Sequence, residues 1–218
     1  MNNVYENNMR FLPLLKFIEK HKKILISIVV FIILVVSYFV ITNQIAKQKN
    51  ESAALIYGNW SEEISSENPD EETLNLILND LLSNYGSTGY AQIALLNKAS
   101  LDAQNSKLEE ALKNFKELIS ITDKSNGSKI YNKIARVSAA RILVAEKKYD
   151  EALGMIQIFS SNSTNGYIHE LTGDILAKQD KTDLALAQYK NAADKYSDEI
   201  SKSIISMKIA NIGNQIEN

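Results

Sequence analysis

The 218-residue sequence contains no Cys, only two Pro, two His and eight Gly. The absent thiols exclude disulfide frameworks, thiolate metal sites, redox pairs and thiolate nucleophiles. Sparse Pro and Gly favour helices over turn-rich β architectures. A 45% hydrophobic share excludes a disordered chain, and the formal charge of -2 gives no overall basic excess for nucleic acid. No G-x-G-x-x-G or phosphate loop occurs, because the glycines are isolated.

One stretch dominates what is present. Ile24 to Thr42 (ILISIVVFIILVVSYFVIT) carries no charge. As a helix rising about 1.5 Å per residue it reaches roughly 28 Å, close to the hydrocarbon thickness of a bilayer. It exceeds the roughly 7 to 15 apolar residues of a cleaved signal peptide, and the nearest small-x-small pattern, Ser52 to Ala54, lies well beyond it. The sequence therefore predicts a membrane anchor. Arg10, Lys16, Lys20, Lys22 and Lys23 precede the span, whereas only Lys47 and Lys49 closely follow it. This bias predicts a cytoplasmic N-terminus. The segment Phe11 to Lys23 (FLPLLKFIEKHKK) reads as ordinary juxtamembrane anchoring.

From Asn43 onward there are 19 Lys plus Arg against 24 Asp plus Glu, an acidic excess with no basic patch. Nucleic acid is not expected as a partner. Four regions follow: a short basic tail over 1–23, the span over 24–42, a helical linker or N-terminal hairpin over 43–84, and a repeat domain over 85–218. In the linker, Ala53, Ala54, Ile56, Tyr57, Trp60 and Ile64 form a spaced apolar face for the chain's own repeats or a twin chain, with the former favoured. Asn68 is predicted to cap the following helix, with Pro69 at its first position and Asp70, Glu71 and Glu72 at its positive dipole end. Consecutive carboxylates point around a helix and do not converge as cation ligands.

Apolar residues beyond Tyr85 recur at three- and four-residue steps. Aligning Ala111, Ala152 and Ala185 shows a small residue twelve positions earlier (Ala99, Ala140, Gly173) and a large apolar one four later (Phe115, Ile156, Tyr189). Seven later come Leu118, Phe159 and Ala192. Two antiparallel helices approach closely where small side chains face each other, and a bulky residue one turn on fills the adjoining gap. The predicted unit is a helical hairpin, repeated at spacings of 41 and 33 residues. Its turns are read at Gln104-Asn105-Ser106, Lys147-Lys148-Tyr149 and Gln179-Asp180-Lys181, with Ser106 and Glu109 as a capping box.

At these positions the chain resembles the tetratricopeptide repeat family, best in ELTGDILAKQDKTDLALAQYKNAA. The first two repeats have Ala for Gly and lack the expected Trp and Tyr. The fold class predicted is all-α, one N-terminal transmembrane helix followed by a tetratricopeptide-like helical-hairpin solenoid. The whole arrangement resembles the YfgM-like family of ancillary SecYEG translocon subunits. LLKFIEKHKKILISIVV, YAQIALLNKASLDAQNSKLEEALKNFKELI, ARVSAARILVAEKKYDEAL and MKIANIG carry that resemblance alongside the last repeat. It implies a single-pass type II protein of the bacterial inner membrane with periplasmic repeats. The implied partners are the translocon, a periplasmic folding factor and secretory client chains, with no catalytic residues and no cofactor. A cell-envelope assembly scaffold with the same repeats is the alternative.

Residue by residue, enzyme readings find little. His21 and His169 fall on opposite predicted sides of the membrane and cannot share a site. His169 near a helix start reads as a packing or hydrogen-bonding residue. Asp123-x-x-Asn126-Gly127 lacks the ligand set of a calcium loop and reads as a turn. If the hairpins stack, their first helices line a concave groove. By the family's register the groove takes Ile93, Leu96, Ser100, Ile134, Val137, Arg141, Val144, Tyr167, Glu170 and Asp174, half or more of which are expected to contribute to the core. Their mixture of apolar and charged types suits adaptable contact with extended chains.

Overall fold

A computed structural model describes residues 3–124, 127–160 and 163–216. Asn126 of the Asn126-Gly127 turn lies outside them. Among the described residues every regular element is a helix: α1 (Asn3–Ile64), α2 (Glu71–Tyr85), α3 (Gly89–Gln104), α4 (Leu108–Thr122), α5 (Lys129–Ala145), α6 (Tyr149–Ser160), α7 (Gly166–Lys178), α8 (Thr182–Lys195) and α9 (Glu199–Ile216). The chain divides into two compact units, Met1–Ser52 and Ala53–Asn218.

The first unit holds the apolar stretch. It has the one described helix long and apolar enough to cross a membrane, with a mean hydropathy of 3.2 over its best window and none of that window buried. Apolar side chains such as Phe31, Leu34 and Phe39 face outward. Such exposure is stable in lipid and unfavourable in water.

In the second unit, α3 pairs with α4, α5 with α6 and α7 with α8. The predicted close-approach positions are all buried: Ala99, Ala111, Ala140, Ala152 and Ala185 show no exposure. Gly173 is buried too, and a Cβ built on it would lie 2.6 Å from the ring of Tyr189. Phe115, Ile156 and Tyr189 fill the adjoining gaps. Ala185→Leu is therefore expected to overpack the α7–α8 contact at a cost of about 1–3 kcal/mol, read as a lower midpoint in urea. An unchanged midpoint would contradict this helix register.

The three turns within hairpins share one backbone solution. Ser106, Lys147 and Asp180 have φ of 60°, 61° and 57°, the left-handed region, each five residues before its aligned Ala. The next amide donates back to the preceding helix: Lys107 to Asp102, Lys148 to Leu143 and Lys181 to Leu176, at 2.8, 2.8 and 3.0 Å. Each is a Schellman ending with a non-glycine residue in the left-handed position. The first turn thus centres on Asn105-Ser106-Lys107, one residue later than its sequence reading, since Gln104 still belongs to α3, and the middle turn on Glu146-Lys147-Lys148, one residue earlier, since Tyr149 already belongs to α6.

Two cap assignments change. Ser106 does not cap α4: it sits left-handed, Lys107 takes the N-cap position, and no side chain bonds there. The Schellman turn places Ser106 before the cap, so no capping box with Glu109 forms. Asp70, not Asn68, caps α2, accepting from the Glu72 and Thr73 amides, and Pro69 stays outside the helix. The Asp70 amide itself donates to Glu63 at 2.7 Å, which fixes the chain two residues past Asn68. In contrast, α3, α5 and α7 receive side-chain caps from Thr88, Ser128 and Asn165.

The apolar face at the end of α1 packs on this unit's own core. Ala53 and Trp60 are fully buried, with Ile56, Tyr57 and Ile64 partly buried beside them. Leu74, Leu78 and Leu81 of α2 belong to the same cluster.

Candidate partner-binding groove

The ten groove positions lie on α3, α5 and α7, the first helices of the three hairpins. None is fully buried: Ile134, Arg141 and Tyr167 are exposed, and the other seven are half-buried. Leu96, Val137 and Val144 rest against the core on one side, so they are shared between packing and surface.

At the third hairpin the polar positions are engaged within the fold. Lys208 of α9 bonds Glu170 at 2.7 Å and both oxygens of Asp174 at 2.7 and 2.8 Å. The Tyr196 hydroxyl donates to Glu170 and the Tyr189 hydroxyl to Asp174. Glu170 and Asp174 therefore brace α9 against α7 and are not free to meet a partner. Lys208 follows Asp174 by 34 residues, close to the 33-residue spacing of the last two repeats, so the missing signal lay in the register of MKIANIG rather than in a local motif.

This cluster sets an alkaline limit. Burial works against the charge of Lys208, but the Asp174 and Glu170 carboxylates outweigh it and hold its pKa above the ordinary 10.5. Burial, then the hydrogen bonds to Asp174 and Glu170, push the Tyr189 and Tyr196 hydroxyls above their ordinary 10.0. All three groups bind protons more tightly in the folded state. Their stabilisation is therefore complete below the unfolded values and lost as pH rises through the folded ones. Melting temperature is expected to fall more steeply above pH 10 in the parent than in a Lys208→Met, Tyr189→Phe variant. Parallel curves would refute the coupling.

His169 is buried, with Nδ1 2.9 Å from the Gln188 side-chain oxygen and Nε2 3.2 Å from the Ser163 carbonyl. Each ring nitrogen thus lies within hydrogen-bonding distance of a partner inside the fold. Arg136 is structural as well: its guanidinium bonds both oxygens of Asp123 at 2.8 and 3.1 Å, and its Nε donates to Asn132. Arg141, five residues further along α5, makes no hydrogen bond or ion pair with any described residue.

Arg141 lies on an open trough of about 430 Å³. Ser100, Ala103 and Gln104 of α3 form one wall, Ser138, Ile142 and Ala145 of α5 the other, and Leu108 and Phe115 of α4 line it too. Sequence reasoning placed Ser100 and Arg141 here but missed Gln104 and Ser138. Both are short-range polar residues on helices whose exposure depends on how α3 and α5 converge.

A family model described as a tetratricopeptide repeat-like domain matches residues 16–214. The chain belongs to that family. A relative in Neisseria gonorrhoeae, named an ancillary SecYEG translocon subunit, is 26% identical over 173 residues, 79% of this chain and 80% of its own. Together these support the YfgM-like assignment made from the sequence. Among solved structures, one titled MamA RS-1 ArsTM double mutant aligns with a TM-score of 0.51 at 11% identity, covering 76% of this chain and 97% of that one. That likeness shows the fold alone. The repeat family and the relative's name point to a non-enzymatic interaction module.

Proposed function

We propose that this tetratricopeptide repeat-like protein is an accessory subunit of the Sec translocon, anchored in the bacterial inner membrane by residues 24–42 with its N-terminus in the cytoplasm. Its repeats then lie in the periplasm and hold a folding factor or emerging secretory chains near the translocon exit. The observation that carries this reading is the open face of α3 and α5. Exposed Ile134 and Arg141, the latter unpaired among the described residues, stand there beside half-buried Ile93, Leu96 and Ser100. Such a face offers apolar contact and one fixed charge, which suits varied extended chains better than one rigid ligand. The translocon association rests on the relative's name, the orientation on the Lys and Arg bias of the tail.

The test is crosslinking of tagged full-length protein in its native membranes, followed by gentle solubilisation and identification of co-purifying proteins against a span-only control. Translocon subunits or periplasmic folding factors enriched only when residues beyond 43 are present are the expected result. Enrichment restricted to other envelope-assembly components would leave the repeat fold standing and overturn the translocon reading.

A further inference from the structure

We propose that the outer face of α9 is a self-pairing surface, on which a second copy of this chain docks its own α9 antiparallel to the first. The inference stands on the repeat fold and the anchor and is independent of what the α3–α5 face meets. Ile200, Ser203, Ile204, Met207 and Ala210 lie on one exposed face of α9 with no charge among them. Ile200, Ile204 and Met207 are 77%, 44% and 70% exposed, at the four- and three-residue steps of a helix-packing seam. Among the described residues of the second unit, no other helix presents three exposed large apolar side chains. Leu55, Leu76, Ile158 and Leu184 stand one to a helix, and α5 has two.

The opposite face of α9 holds it to the array, since Ile205 and Ile212 are buried with Leu176, Ala185, Tyr189 and Ala192. The outer face has a different place in the repeat. Counting back 34 residues, the offset that joins Lys208 to Asp174, Ser203 and Met207 fall on His169 and Gly173 of α7. In α7 those two positions receive α8, through Gln188 and Tyr189. The outer face of α9 is thus the surface on which a hairpin's second helix would pack, and no described residue covers it. A terminal repeat facing water carries a polar outer surface, whereas this one presents a packing seam.

Self-complementarity, charge and area select a second copy as the occupant. With two α9 helices antiparallel about a twofold axis near residue 205, Ile200 meets Ala210 of the second copy, Met207 meets its Ser203, and Ile204 meets its Ile204. Both outer layers set a large side chain against a small one, as Tyr189 is set against Gly173 in the last hairpin. From residue 43 onward 24 acidic residues stand against 19 basic ones, so copies repel over most of their surface and approach best where a face is uncharged. The charges bordering the seam are already paired, Glu199 with Lys202 at 3.3 Å and Lys208 with Asp174 at 2.7 Å. One helix of about 27 Å on another buries less than the roughly 1,200 Å² of a stable soluble dimer. A contact of that size suits copies held in one membrane by their own anchors, which raises their effective concentration.

The chain has no Cys, so an introduced thiol reports alone. Full-length Ile204→Cys is oxidised with copper phenanthroline in native membranes and run on a non-reducing gel, beside Ile158→Cys, an exposed apolar position on α6, as control. Ile204→Cys is expected to give a disulfide-linked homodimer and Ile158→Cys none. Differently tagged Ile200→Cys and Ala210→Cys chains, produced together, should form the mixed dimer in preference to either homodimer, which reports the antiparallel register. Adding Met207→Glu or, separately, Ser203→Glu to Ile204→Cys should cut the dimer about tenfold, because a carboxylate would be buried in the seam without a partner. Unchanged helicity and melting temperature in the Glu variants exclude misfolding. No dimer from Ile204→Cys, or no more than from Ile158→Cys, would overturn self-pairing, as would a dimer unaffected by both Glu substitutions. A mixed dimer no commoner than the homodimers would overturn the antiparallel register. Capture of a different protein by Ile204→Cys in place of a second copy would assign the face to that protein and overturn the choice of occupant.

Discussion

Lys98→Met is expected to destabilise the repeat unit by about 3–5 kcal/mol, the cost of leaving a buried charge without its partner. Lys98 and Asp102 are 4% and 2% exposed, and their Nζ and Oδ1 atoms lie 2.5 Å apart on one face of α3. Asn114 of α4 donates to the second Asp102 oxygen at 2.9 Å, and Glu71 of α2 stands 3.6 Å from Lys98. The pair thus ties three helices at one point. Removing the lysine leaves the Asp102 carboxylate with one neutral amide donor in a nearly dry setting. Removing both charges behaves differently, because the desolvation of each ion disappears together with the attraction. The Lys98→Met, Asp102→Leu double variant should therefore recover most of the loss. Urea midpoints of parent, single and double variants measure this directly. A single-variant cost below about 1 kcal/mol would show that Asp102 is solvated in the folded chain.

Trp60→Ala is expected to cost about 3–5 kcal/mol and to loosen the end of α1 from the repeats. Trp60 has no exposed surface. Its ring stacks on Tyr57 with centroids 6.0 Å apart and planes 22° apart, and Tyr57 meets Tyr90 of α3 at 5.7 Å. This aromatic chain fastens the segment after the span to the first hairpin. The indole Nε1 is buried with no hydrogen-bond partner among the described residues. Trp60→Phe removes that unsatisfied donor along with some packing, so it should cost clearly less than Trp60→Ala. Limited proteolysis, with cleavage between Ile64 and Glu71 accelerated in Trp60→Ala alone, checks the local effect. Equal losses in both variants would mean that a phenyl ring recovers nothing and that the indole nitrogen is satisfied, which contradicts this account.

The parts of the fold legible in sequence are those that leave a steric mark. Small residues at Ala99, Ala140 and Gly173, twelve before Ala111, Ala152 and Ala185, are where helices touch, and all are buried. The anchoring helix is legible for the same kind of reason, since only a long uncharged stretch can lie in lipid. Turns were less visible, because Ser106, Lys147 and Asp180 take a left-handed position where glycine would have announced it. Asn68 and Asp70 are both able caps, and only the path of the chain past Glu63 decides between them.

For the groove, the register of the resembled family gave positions that are all at least partly exposed, yet it did not tell free side chains from engaged ones. Glu170 and Asp174 look like ligand-facing acids until Lys208, 38 and 34 residues further along the chain, is placed on them. Lys98 and Asp102 show the converse. Their spacing of four reads as a surface helix pair, while the structure buries both.

The central claim, that the open face of α3 and α5 is where this protein meets its partners, is tested most directly by a photo-crosslinking amino acid. It is placed at Ile134 on that face and, as a control, at Glu117 on α4, in full-length protein in native membranes. Both positions are exposed. Crosslinks from Ile134 to translocon subunits, periplasmic folding factors or nascent secretory chains, absent from Glu117, are the predicted result. The same partners captured equally from both positions, or from Glu117 alone, would contradict it.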